Sequence, residues 1–135
     1  MKKLTEKIVL LICLIPFLFC NCSKEDDFKM PYQTYSSLLN QAGENNPTET
    51  ILLNELGISI EWTRVDAGIF KGVLSKPIDL TKTTLIIQLQ AENRIATGGF
   101  INSTTIRFNN CDRNNIIDSR DWVSTAVIEM KTFNE

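Results

Sequence analysis

The sequence predicts a mainly β fold. The expected form is a small antiparallel meander, closed as a barrel or packed as a two-layer sandwich of six to seven strands, with one short N-terminal helix. Three observations carry this expectation. From Thr50 onward apolar residues recur with period two, the spacing of half-buried strands. The periodic segments are separated by short clusters of turn-forming residues, which join antiparallel neighbours. The 135 residues fit one domain at most. Cys111 is the only cysteine beyond Cys22, so no internal disulfide staples the domain and its core must hold it.

The first segment is not part of that domain. Residues 1–7 are short and basic, and Ile8 to Phe19 (IVLLICLIPFLF) carry no charge. Twelve apolar residues are too few to span a bilayer, which takes roughly 20. A basic start, a short apolar core and a sharp return to polarity describe a secretory signal peptide, assigned to 1–21. A buried domain helix is disfavoured because Pro16 interrupts the run. The apolar core ends on "FCNCSKEDD" (Phe19–Asp27), where a cysteine replaces the usual small-residue cleavage site.

This junction resembles the lipobox of bacterial lipoproteins, whose cysteine is acylated after cleavage. Cleavage before Cys20 would put the bulky Phe19 ahead of the cut. Cleavage before Cys22 puts Asn21 there and is favoured, although neither has the small Gly or Ala of a strict lipobox. The residues that follow, Ser23, Lys24, Glu25, Asp26 and Asp27, resemble the export signal of Bacteroidetes surface lipoproteins. That resemblance implies lipidation at Cys22 and an outer-membrane location facing the cell surface, with the periplasmic face as the alternative. Residues 22–33 then form an acidic tether, and 34–135 the β-rich domain.

Along the domain, Tyr35, Leu38, Leu39 and Ala42 fall at helical spacing before Gly43, which predicts a short helix over Tyr32–Gly43. "ENNPTE" (Glu44–Glu49) is a loop broken by Pro47, and Thr50–Asn54 is an optional seventh strand. In "GISIEWTR" the residues Ile58, Ile60 and Trp62 share one face, which puts Trp62 in the core. "DAG" (Asp66–Gly68) turns the chain into "IFKGVLS" (Ile69–Ser75), a hairpin. "TLIIQLQ" (Thr84–Gln90) alternates Leu85, Ile87 and Leu89 with polar residues. "AENR" (Ala91–Arg94) turns into a second hairpin, Ile95–Ile101 and Thr104–Asn110, joined at Asn102–Ser103. The last strand, Trp122–Phe133, sets Ala126, Ile128 and Met130 against Glu129 and Lys131.

The segments "IEWTRVDAGIFKGVL" and "AVIEMKTFN" resemble small β-rich domains of flavobacterial-type secreted proteins. Their pattern is a Trp-Thr-Arg strand followed by a Gly-aromatic-x-Gly return. Trp62, Thr63, Arg64, Gly68, Phe70 and Gly72 match it, with Phe70 in a position often held by tyrosine. The resemblance bears on fold and implies no activity.

Charge and composition narrow the function. Residues 1–21 hold three lysines against one glutamate; residues 22–135 hold 11 basic against 15 acidic residues, a net of −4. An acidic domain lacks the basic stripe that nucleic acid requires. The chain has no histidine, which removes the commonest general base and zinc ligand. Without it Cys111 has no partner for a Cys–His arrangement, so a buried or incidental thiol is expected. The carboxylates on the strands alternate as a solvated face does, and no pair of them is marked for acid–base work. No enzyme activity and no cofactor are expected.

The longest irregular segment of the strand region is "NNCDRNNIIDSRD" (Asn109–Asp121). Asp112, Asn114, Asp118 and Asp121 are oxygen donors of the type calcium takes, but the EF-hand glycine and closing glutamate are missing, and Asn and Asp are also ordinary loop residues. Asp112, Asn114 and Asp118, with Trp122 after them, are the expected partner-binding residues. The functional expectation is a lipid-anchored envelope protein that binds a glycan or protein partner. The alternatives are an inhibitor or immunity-type lipoprotein, or a carrier of a small apolar ligand.

Overall fold

The computed structural model describes residues 30–115, 121 and 123–134. The expected signal segment, Cys22, and the export residues Ser23, Lys24, Glu25, Asp26 and Asp27 lie outside the described residues, as do Asp118 and Trp122. Residues 31–135 make one compact unit.

Eight strands follow in order: β1 (Tyr32–Gln41), β2 (Thr48–Asn54), β3 (Ile60–Asp66), β4 (Ile69–Leu74), β5 (Thr83–Leu89), β6 (Arg94–Asn102), β7 (Thr105–Asp112) and β8 (Val123–Phe133). They form two four-stranded sheets, ordered β2-β1-β8-β5 and β3-β4-β7-β6, with every pairing antiparallel. The sheets stack like a sandwich and do not close as a barrel. The expected hairpins β3–β4 and β6–β7 are present. The simple meander is not, because β8 inserts between β1 and β5 and β4 pairs with β7. Side-chain alternation determines which face a strand buries and says nothing about which strand lies beside it.

The expected helix at Tyr32–Gly43 is instead strand β1. Two polar residues caused the misreading. The inward face of β1 carries Tyr35, Ser37, Leu39 and Gln41, all buried. Ser37 Oγ donates to Glu49 Oε1 at 2.6 Å, and Gln41 Nε2 donates to the carbonyls of Gly43 and Asn45. Polar residues in the inward register, satisfied from β2 and its turn, hide a period of two. The half-buried Leu38 on the outer face then completes an accidental helical spacing. The optional strand at Thr50–Asn54 is real and lengthened, pairing β1 from Thr48.

The core lies between the sheets. Tyr35, Leu39, Ile128 and Met130 of the first sheet meet Trp62, Phe70, Ile106 and Phe108 of the second. Trp62 packs edge-on to Phe108, with ring centroids 5.8 Å apart, and Phe70 lies 5.2 Å from the same ring. Each fully buried side chain of this size stabilises the fold by about 1.5–3 kcal/mol. Gly72 makes the packing of Trp62 feasible: a Cβ there would sit 2.8 Å from Ile60 Cγ2 and 2.9 Å from Trp62 Cζ3. The two glycines of the Gly-aromatic-x-Gly pattern thus act differently. Gly68 takes φ 66° in the β3–β4 turn, and Gly72 yields space to the tryptophan.

Candidate functional site

Strand directions decide what gathers at each end of the sandwich. The chain enters β1 at Tyr32, beside the end of β8, where Tyr32 pairs with Phe133. Because all pairings are antiparallel, the connections 42–47, 67–68, 90–93 and 113–122 come together at the far end. The connections 55–59, 75–82 and 103–104 come together at the end where the chain enters. Along the ten residues of β1 the two ends are roughly 30 Å apart. Of the connection between β7 and β8, the described residues 113–115 and 121 are at the far end.

Side chains and backbone tie the far end into one platform. Arg64, the last inward-phase residue of the Ile60–Trp62–Arg64 series, extends its guanidinium to Asp121. Nε donates to Oδ1 at 2.7 Å and the second bond runs to Oδ2 at 2.8 Å. The Gly68 N–H donates to the same carboxylate at 3.0 Å. The Arg64 guanidinium, and after it the Gly68 N–H, hold the Asp121 carboxyl below the usual carboxylate range. The Asp121 carboxylate raises the pKa of Arg64 in turn, with smaller contributions from the charges of Glu44 and Asp66. Asn46 Oδ1 from the β1–β2 connection accepts the Arg64 backbone N–H at 2.9 Å, which covers an open edge position of β3.

On the other side of this end, Arg94 grips Asn110, donating to its Oδ1 at 2.8 Å and its carbonyl at 2.6 Å. The Asn110 N–H donates to Gly68 O and the Arg113 N–H to Asn93 O, both at 2.8 Å. Asn93 takes φ 60° to make that turn.

Of the expected partner-binding residues, Asp112 ends β7, and its Oδ1 accepts the Asn114 N–H at 2.8 Å, an Asx turn at the start of the long connection. Asn114 is exposed. Asp118 and Trp122 lie outside the described residues. Asp121, counted among the calcium-type donors, is engaged by Arg64 and Gly68 instead. Among the described residues no three acidic or cysteine side chains gather as a metal site. Cys111 is buried, with Thr97 Oγ1 3.4 Å from its sulfur.

Arg64, Asn46, Arg94 and Asn110 escaped the sequence reading. Arg64 had left a signal, since a charged residue in phase with Ile58, Ile60 and Trp62 needs a buried or half-buried partner.

No known protein family matches the chain, and neither a curated protein nor a solved structure is similar to it. The reading of the site therefore rests on its own geometry. The far end offers exposed loop backbone, the exposed carboxylates of Glu44, Asp66 and Glu92, and a braced frame beneath them. Such an arrangement can recognise a surface.

Proposed function

We propose that this chain is a lipid-anchored protein of the cell envelope, held at Cys22 in the outer membrane and facing the cell surface. Its far loop end binds a glycan or protein partner. The observation that supports this most is the direction of β1. A tether joined at Tyr32 meets one end of the sandwich, and the braced connections 42–47, 67–68, 90–93 and 113–122 occupy the other. Loops on a rigid scaffold are the usual carriers of recognition. A short acyl-anchored tether leaves that end pointing away from the bilayer, and more than one acyl chain makes the attachment stable.

The test is capture from native membranes by the tagged, lipidated chain, alongside tryptophan fluorescence with envelope and host polysaccharides. A partner or quenching polysaccharide that is lost in Asp66→Lys/Glu92→Lys and kept in Lys76→Glu supports the reading. Binding lost only with Lys76→Glu contradicts it. Labelling with an alkyne fatty acid should be abolished by Cys22→Ala; a label that survives in Cys22→Ala and disappears in Cys20→Ala moves the anchor.

A further inference from the structure

We propose that the end of the sandwich where the chain enters is itself a membrane-resting surface, seated on a phosphate-bearing lipid headgroup layer. The inference rests on the anchored reading of Cys22 and adds a defined orientation to it.

Among the described residues, large apolar side chains reach solvent more at this end than at the far end. Leu80 of the 75–82 connection is 43% exposed, Ile101 at the end of β6 is 59% exposed, and Phe133 at the end of β8 is 43% exposed. Among the described residues, the far end shows Val65, the carboxylates Glu44, Asp66 and Glu92, and the exposed Arg113. Backbone bonds link the segments that carry these side chains. The Phe133 N–H donates to Lys82 O at 3.0 Å, and the Ile78 N–H donates to Ser103 O at 2.9 Å. The Tyr32 ring meets Phe133 edge-on at 5.6 Å. Connections from both sheets are thereby fixed in one end surface.

Lysines stand among these apolar side chains. Lys76 and Lys82 lie on the 75–82 connection, and Lys131 Nζ stands 5.3 Å from the Tyr32 ring centre and 2.9 Å from Glu129. Two carboxylates of this end keep their charge and also serve the fold. Glu55 Oε2 accepts the Thr34 N–H at 2.8 Å, and Asp79 Oδ1 accepts both the N–H and the hydroxyl of Thr81. Aromatic and aliphatic side chains set among lysines are what a bilayer interface selects, the rings lying at headgroup depth and the lysines meeting phosphates. The tether adds proximity. Residues 23–31, fully extended, reach about 30 Å, so the Tyr32 end is the one kept beside the lipid. A partner protein on this end would lack that built-in closeness.

The test uses the full lipidated chain, labelled with nitrogen-15, in nanodiscs of phosphatidylethanolamine and phosphatidylglycerol doped with a gadolinium-chelating lipid. Co-sedimentation first establishes that the chain is on the disc. The expected result is several-fold faster relaxation of the Leu80, Ile101 and Phe133 amides than of Asp66 and Glu92. That difference should shrink in Leu80→Glu, and further in Leu80→Glu/Phe133→Glu, while the chain stays on the disc. Equal relaxation at both ends means a domain swinging freely on its tether and overturns the inference, as does faster relaxation at Asp66 and Glu92. A chain with unmodified Cys22 that does not sediment with the discs overturns the anchored reading and this inference together.

Discussion

Asp121 is the residue on which the far end closes, because its two oxygens serve both Arg64 and the Gly68 N–H. Its carboxyl is held below its ordinary value in the folded chain. A carboxyl depressed on folding contributes stability above the unfolded carboxylate range, and that contribution is lost as pH falls through the folded value. Asp121→Asn should therefore lower the melting temperature at neutral pH. The gap to the parent protein should close on acidification below the carboxylate range, as thermal melts across pH would show. Tyr35 behaves in the opposite sense. Burial, and then the adjacent Glu49 carboxylate, push its phenol well above the ordinary tyrosine value. Its hydroxyl lies buried near Glu49 and Ser37 without a hydrogen bond of ordinary geometry. A group raised on folding gives stability below its unfolded pKa, about 10 for tyrosine, which is lost as pH rises beyond it. Tyr35→Phe should flatten this alkaline loss in denaturant titrations. At neutral pH it should be neutral or stabilising by up to about 1 kcal/mol, since it removes a buried polar atom and leaves the ring.

At the scale of the element, the β3–β4 hairpin shows most directly how residue type sets geometry. Trp62 lies over Gly72, and no other residue at that position leaves it room. Gly72→Ala should cost about 1–3 kcal/mol by overpacking, read as a lower urea midpoint with unchanged slope. Gly72→Ala combined with Ile60→Val should recover part of the loss, because Ile60 Cγ2 is the nearest atom to the added methyl. This hairpin was legible in the sequence because its inward positions Ile58, Ile60 and Trp62 are apolar and its turn holds Gly68. β8 was legible for the same reason through Ala126, Ile128 and Met130. β1 was not. Ser37 and Gln41 occupy inward positions there, and the partners that make this tolerable come from Glu49 and the turn after β1. The pairing of β8 with both β1 and β5 was likewise hidden, since it is decided by contacts across roughly 80–100 residues of chain to β1 and roughly 40–50 to β5. The far end was legible only in its loop residues. Asp112 and Asn114 are readable as loop residues at the start of the long connection, while the brace depends on Arg64 and Asp121 meeting 57 residues apart.

At the scale of the molecule, strand direction becomes orientation. The first and last strands are neighbours, Tyr32 pairs with Phe133, and the Asn134 N–H donates to Pro31 O, so both ends of the folded unit leave from one end of the sandwich. A protein seated on the membrane as proposed, and anchored through the segment before Pro31, holds connections 75–82 and 103–104 on the lipid side and connections 67–68 and 90–93 on the solvent side. Two insertions separate these sides. A protease recognition sequence placed at Glu92–Asn93 enters an exposed turn at the far end, and the same sequence at Leu80–Thr81 enters an exposed connection at the near end. In solubilised protein both turns are open, and both insertions should be cut at comparable rates. On intact cells, with the chain lipidated and facing outward, the insertion at Glu92–Asn93 should be cut much faster than the insertion at Leu80–Thr81, read from fragment sizes on a gel. Equal cutting on cells would mean that the tether leaves the domain free to tumble. Protection of both sites on intact cells, with cutting restored on lysis, would place the domain on the periplasmic side of the membrane, with the same end of the sandwich toward the lipid.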